Sequence, residues 1–197
     1  MDQPEYCIDS QKGPHKSTRR VRQVLVHPRY HKKNIKPYYD AALLRVMRRM
    51  DFSTRYLKPI NLPPKNQWEN DFVGAHVEVT GYGRVESVKV QGKDQTACQT
   101  MLGHLQVKDP YDRVCSKGRL LDDPKVQMCA YHWETDACQG DSGGPLVYRE
   151  GNDKYLIGIV SYGDLHCGRS DVGSVFTKVN TILPWIISKI QAGECQC

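Results

Sequence analysis

Short apolar runs of alternating character, separated by clusters of Gly, Pro and polar residues, make up most of this chain. The run Val21–Val26 (VRQVLV) alternates well enough for a half-buried strand, and His27-Pro28 ends it. Residues 32–39 read as a polar loop, 41–47 as an apolar strand and 50–58 as a polar turn region. A short extended piece, 59–62, is closed by Pro63-Pro64. A second set of strands follows at 75–80, 84–90 and 99–107, the first two joined by the turn Gly81-Tyr82-Gly83. Between Cys115 and Cys129 lies a cysteine-bounded loop, and further strands are expected at 146–148, 155–161 and 173–179.

Only the end of the chain has a helical period. Leu183, Ile186, Ile187 and Ile190 fall on one face at i, i+3, i+4 and i+7, Asn180 or Thr181 supplies a cap, and Pro184 is tolerated in a first turn. Many short strands with Gly/Pro-rich connections, followed by one docking helix, imply an all-β barrel or sandwich. No internal repeat is visible, and no apolar run is long enough to span a membrane as a helix.

With 25% charged and 39% hydrophobic residues, the chain has the composition of a soluble globular protein, which excludes a disordered or low-complexity one. Its net charge of +6 is concentrated early, in Lys16, Arg19, Arg20 and Arg22, in His31, Lys32, Lys33 and Lys36, and in Arg45, Arg48 and Arg49. Such a face can attract sulfated glycans or anionic surfaces. The plainer reading is a solvated face, and the absence of a recognition helix or nucleic-acid motif argues against nucleic acid as a partner. Eight cysteines, at 7, 98, 115, 129, 138, 167, 195 and 197, form no C-x-x-C pair, which favours an oxidising compartment over a zinc site. The start, MDQPEYCIDS, has no basic and apolar leader, so a secreted location requires a leader beyond the given chain.

The stretch DACQGDSGGPLV, residues 136–147, carries the chemistry. It sets Ser142 among glycines, where the backbone can turn tightly or approach another chain closely. With its preceding Cys-X, GDSGGP resembles the active-serine loop of the trypsin/chymotrypsin family of serine endopeptidases. Other segments resemble that family in the same order: YDAALLR (39–45), the segment that supplies the triad aspartate; PINLP (59–63); GYG (81–83); GIVSYG (158–163), the substrate-binding strand; and VFTKV with Pro184-Trp185-Ile186 at the end.

The resemblance implies a chymotrypsin-like double β-barrel with a C-terminal helix, its first barrel incomplete. Residues 1–19 would be a poorly ordered segment, 20–64 a remnant of the N-terminal barrel, 65–74 a linker, 75–180 the C-terminal barrel, 181–191 the helix and 192–197 a tail. Ser142 would be the nucleophile and Asp40 the orienting acid, with the N–H groups of Gly140 and Ser142 forming the oxyanion hole. Asp136 would floor a pocket for Arg or Lys whose walls, Gly163 and Gly173, leave room for a long side chain. Asp141 would pair with an activating N-terminus. The family's pattern pairs Cys115 with Cys129 and Cys138 with Cys167, and leaves Cys7, Cys98, Cys195 and Cys197 unassigned. Val77 and Tyr148 stand where many relatives have a bonded cysteine pair, and Tyr162 stands for the usual tryptophan of the substrate platform.

The departure lies in the base. No small-residue His-Cys segment precedes Asp40; His15, His27 and His31 lie in unrelated contexts, with HPRY (27–30) matching a surface strand end. His76, His104, His132 and His166 read as ordinary surface or half-buried histidines, and no set of residues has metal-ligand spacing. An activating N-terminal sequence is missing as well, which leaves Asp141 either as an uncompensated buried charge or turned outward with a collapsed oxyanion hole. Two functions are therefore weighed. One is a secreted trypsin-like endopeptidase that cleaves after Arg or Lys, uses no cofactor and meets serpin- or Kunitz-type inhibitors, the given chain being inactive. The other is a non-catalytic homologue that binds without cutting.

Overall fold

A computed structural model of the chain describes residues 17–33, 36–90, 93–98, 101–116, 121–133, 135–163 and 171–193, and for 84–90, 93–98 and 101–102 the backbone alone. Four short strands come first: β1 (Val21–Val26), β2 (His31–Lys33), β3 (Lys36–Tyr38) and β4 (Ala42–Val46). Next come β5 (His76–Gly81), β6 (Arg84–Val90), β7 (Lys93–Cys98) and β8 (Met101–Lys108), then the short helix α1 (Arg113–Ser116). The last elements are β9 (Gln127–Tyr131), β10 (Pro145–Glu150), β11 (Asp153–Tyr162), β12 (Ser174–Lys178) and the helix α2 (Val179–Gln191).

A closed barrel in the order β10-β11-β12-β9-β8-β5 is the core of the molecule. Closure pairs every barrel strand on both sides, so the barrel has no open edge. Phe176, Leu105, Leu146 and Ile157 fill it, each at most 1% exposed, together with Val77, Val79, Val107 and Met128. Val77 lies directly opposite Tyr148 across the β5–β10 ladder, an apolar contact at the place where the family pattern has a cysteine pair.

The expected strands at 21–26 and 41–47 form, pairing β1 with β4. Among the described residues β1 pairs only with β4 and β2 only with β3, so the N-terminal part consists of two-stranded ribbons and not a closed barrel. Val24 and Val26 are each 55% exposed and Leu44 is 59% exposed in consequence.

Several expectations are corrected. The polar loop expected at 32–39 contains the hairpin β2–β3, in register His31↔Tyr38 to Lys33↔Lys36. The stretch between Cys115 and Cys129 ends in β9, a barrel strand, and a strand at 93–98 precedes the one expected at 99–107. Helix α2 starts at Val179, before both cap candidates, with Lys178 at the N-cap and no side-chain cap. Asn180 lies inside the helix, where its Nδ2 donates to the carbonyls of Trp68 and Asn70, both at 2.9 Å. That pair of bonds fastens the segment before β5 to α2. Pro184 sits beyond the first turn, within the helix.

One face of α2, built from Val179, Ile182, Leu183 and Ile186, packs against Tyr39, Ala41, Leu43, Leu62 and Trp68 and against Leu156 and Ile159 of β11. This cluster joins the N-terminal ribbons to the barrel. Cys115 and Cys129 form a disulfide with Cα atoms 5.9 Å apart, fixing α1 to β9. Replacing both with Ser should lower unfolding stability by about 3 kcal/mol, the cost of releasing a loop of this length. Chemical denaturation of the oxidised protein and of the double variant checks the difference.

Candidate active site

The serine loop and the segment carrying Asp40 meet on β11. The loop before β10 places Ser142 at the surface, with Gly140 at φ +103° and Gly143 at φ +82°, conformations that side chains other than glycine's rarely allow. Gly143 N–H donates to the Val160 carbonyl at 2.8 Å, and Val160 N–H to the Gly144 carbonyl at 2.9 Å. The serine loop is thus stitched to β11 at Val160. Its neighbour Ser161 donates its hydroxyl to Asp40 Oδ2 at 2.8 Å, and Thr177 of β12 donates to the Asp40 carbonyl at 3.1 Å. The two glycines after Ser142 and the side chain of Asp40 are therefore held from adjacent residues of one strand.

The chain reaches Asp40 by a strained route. Tyr39 has φ +49°, a left-handed conformation that costs a bulky residue about 1–2 kcal/mol. Its ring is stacked on His27 at 4.8 Å, and the Arg29 guanidinium lies 4.3 Å from the ring centroid. Those contacts, with Tyr39, Ala41 and Leu43 packed towards α2, leave Asp40 to reach Ser161.

His27, read as part of a surface strand end, is 6% exposed, with its ring edge-on to Trp185 at 4.7 Å. Its Nδ1 accepts the Arg29 N–H at 3.2 Å. Burial, and secondarily Arg29, hold His27 below the ordinary imidazole value. The unfolded chain therefore takes up a proton at a higher pH than the folded one. The stability that neutral His27 contributes is complete above about pH 6.5 and is lost as pH falls through the lowered folded value. Denaturation midpoints should drop between pH 7.5 and 5 in the intact chain, by a smaller amount in His27→Phe.

Asp141 is 3% exposed and turned inward. Its Oδ1 accepts the Gly83 N–H at 2.7 Å and its Oδ2 the Cys138 N–H at 2.9 Å, so the buried charge is held by backbone donors. The glycines of GYG make room for it, since a Cβ on Gly81 would lie 1.9 Å from Asp141 Oδ1 and one on Gly83 2.6 Å from its carboxyl carbon. With Asp141 inward, the N–H groups of Gly140 and Ser142 have no hydrogen-bond acceptor among the described residues.

Asp136 is 7% exposed and accepts a hydrogen bond from Ser174 Oγ, a residue the sequence reading did not single out. A Cβ on Gly163 would lie 3.2 Å from that same Ser174 Oγ, so a side chain at 163 would be directed towards the acid. Gly173 lies against the disulfide. A Cβ there would meet Cys129 Sγ at 2.8 Å and the Ala130 carbonyl at 3.0 Å, so its missing side chain leaves room for the Cys115–Cys129 bridge, and the residue facing Asp136 is its neighbour Ser174. Cys138 is disulfide-bonded; Cys167, its expected partner, lies outside the described residues, as do Cys7, Cys195, Cys197, His15, His166 and the side chain of Cys98.

A polar network closes one flank. Asp122 accepts from Lys36 Nζ and from the Tyr38 hydroxyl, both at 3.1 Å. Gln127 Nε2 donates to the Pro37 carbonyl and to the Tyr162 hydroxyl, both at 3.1 Å. Burial, with Asp122 beside it, pushes the Tyr162 phenol well above its ordinary value, so the ring stays neutral. Among the described residues no imidazole bonds Asp40 or Ser142, and no three His, Cys, Asp or Glu side chains are grouped to hold a metal.

The family model described as Trypsin matches residues 7–186. Transmembrane protease serine 11A of Homo sapiens is 35% identical over 202 residues, covering 93% of this chain and 45% of that protein. CLIP domain-containing serine protease B4 of Anopheles gambiae and melanization protease 1 of Drosophila melanogaster are each 33% identical, covering 86% and 87% of this chain and 46% and 43% of those proteins. The chain thus spans less than half the length of these relatives. A match over nearly the whole chain, on a closed six-stranded barrel followed by a helix, leaves one assignment: the chain belongs to the trypsin family.

Proposed function

We propose that the chain is part of a secreted serine endopeptidase that cleaves after Arg or Lys, and that it does not itself turn over substrate. The convergence of Ser142 and Asp40 on Val160 and Ser161 carries this reading. Ser142 Oγ would attack the scissile carbonyl, and the N–H groups of Gly140 and Ser142, which have no acceptor among the described residues, would receive the charge that develops on its oxygen. A donor of that kind is worth about 3 kcal/mol in the transition state. The products would be an acyl-enzyme and a free amine, then a free acid after water attacks, with no cofactor required. Asp136 would hold the substrate's cation, and Gly163 would leave its path clear. Serpin- and Kunitz-type inhibitors would engage the same cleft.

Inactivity follows from the missing proton acceptor. Attack by Ser142 releases a proton, and Asp40 is bonded to Ser161, with no imidazole bonded to either Asp40 or Ser142 among the described residues. That observation also favours the second reading, a homologue that binds through the cleft without cutting. Treating the purified chain with an organophosphorus fluoride should leave Ser142 unlabelled; stoichiometric labelling would show that another base serves and would end the claim of inactivity. Reading the coding region ahead of residue 1 separates the two functions. An in-frame Ala-Ala-His-Cys segment supports the endopeptidase, and a leader joined directly to the given chain supports the homologue.

A further inference from the structure

Away from the cleft, the end of the β1–β4 ribbon gathers arginines around a cavity. Met47 N–H donates to the Arg20 carbonyl at 2.8 Å and Arg19 Nε to the Arg49 carbonyl at 3.2 Å, which brings 19–22 against 45–49. The register slips between Val21 and Gln23, so Arg22 sits in a bulge, a feature that re-aims side chains. A cavity of about 440 Å³ opens there, lined by Thr18, Arg19, Arg20, Met47 and Arg48. Its size falls in the range of roughly 300–1,000 Å³ typical of small-ligand sites.

The charge of this cradle is not neutralised from within. Among the described residues none of Arg19, Arg20, Arg22, Arg45, Arg48 and Arg49 makes an ion pair; Arg19 is bonded to backbone carbonyls, and the others have no side-chain partner. Asp51, the nearby acid, accepts with Oδ1 from the hydroxyl and N–H of Ser53, and of these arginines it feels only the field of Arg19. Planar guanidinium forks match the paired oxygens of sulfate and phosphate esters better than ammonium groups do. Among the described residues no aromatic ring lines the cavity, which argues against a single-stranded nucleic acid that would need a stacking platform. The 61% exposed Met47 supplies an apolar floor of the kind a sugar ring covers.

We infer that this arginine cradle is a binding site for a sulfated glycan, with Arg20 and Arg48 as the forks that grip adjacent sulfate groups and Thr18 as a neutral donor beside them. The site is independent of Ser142 and of any catalytic reading.

Titration calorimetry of the full chain with a heparin-derived octasaccharide at about 0.15 M salt tests it. Saturable binding is expected, weakening as salt rises, with a slope that falls by about one for each arginine removed. Arg20→Gln/Arg48→Gln should weaken binding about tenfold or more, whereas Lys32→Gln/Lys33→Gln, with the same change in net charge on the exposed β2, should change it by less than about twofold. Arg20→Lys/Arg48→Lys keeps the charge and loses the forks, so a loss of several-fold is expected there too. Equal losses in the arginine and lysine pairs, no loss on the Arg→Lys exchange, or no saturable binding would overturn the proposal. So would phosphatidylserine vesicles or a single-stranded oligodeoxynucleotide binding as tightly as the octasaccharide.

Discussion

Gly81→Ala is expected to destabilise the protein by about 4 kcal/mol, the sum of an overpacking cost of about 1–3 kcal/mol and about 1.5–3 kcal/mol for disturbing hydrogen bonds to a charged group. The added methyl would stand 1.9 Å from Asp141 Oδ1, so either the carboxylate or the backbone has to move. Moving the carboxylate breaks its bonds to Gly83 N–H and Cys138 N–H, which are what make a charge at 3% exposure tolerable. Moving the backbone instead disturbs the last residue of β5, a barrel strand paired with β8 as far as Gly81↔Met101. Gly74→Ala is the control. Gly74 has φ +85° but nothing within 4 Å of its missing Cβ, so only backbone strain of about 1 kcal/mol is expected. Urea unfolding of the two variants beside the parent measures the contrast. Equal losses would mean that Asp141 is not seated on the GYG turn.

Many of the strands are legible in the residues because they alternate or run apolar between turn signals, as in Val21–Val26 of the N-terminal ribbon and in the stretch that becomes β11 of the barrel. The hairpin β2–β3 is not. His31, Lys32, Lys33, Lys36 and Pro37 offer no apolar period, and the strands are held by stacking of His31 on Tyr38 and by Asp122, which is distant in sequence. Asn180 has the side chain of a cap and is used as a tertiary clamp, a choice set by the carbonyls of Trp68 and Asn70 and invisible to local propensity. Ser174 is hidden for a different reason. Every residue of β12 is buried, so the strand has no polar side to reveal which positions point at Asp136. The sequence pattern points to Gly173, while the side chain bonded to Asp136 in the fold is that of its neighbour Ser174. His27 is the converse case, a polar residue in a polar tetrapeptide that ends up buried because Tyr39 and Trp185 enclose it.

If Asp136 is the floor of a pocket for Arg or Lys, Asp136→Ala should weaken binding of 4-aminobenzamidine, an aryl amidinium, by about a thousandfold, or about 4 kcal/mol, within the range for truncating one partner of a desolvated charge pair. The prediction needs no catalysis, so the missing base does not obscure it. Ser174 makes it sharper. Its hydroxyl donates to Asp136 Oδ1, the kind of bond an amidinium would have to replace, and at 1% exposure it occupies space beside the acid. Ser174→Gly should therefore bind the amidinium a few-fold more tightly than the parent, and it should favour the planar amidinium over a flexible alkylammonium, because two parallel N–H donors gain most from a carboxylate with both oxygens accessible. Fluorescence titration of the three proteins reads both effects. If Asp136→Ala binds as well as the parent, the acid is a structural partner of Ser174 and not a ligand for substrate, and the preference for Arg or Lys falls. If Ser174→Gly weakens binding instead, the serine is a helper that holds Asp136 in position, and the pocket works only with its hydroxyl in place.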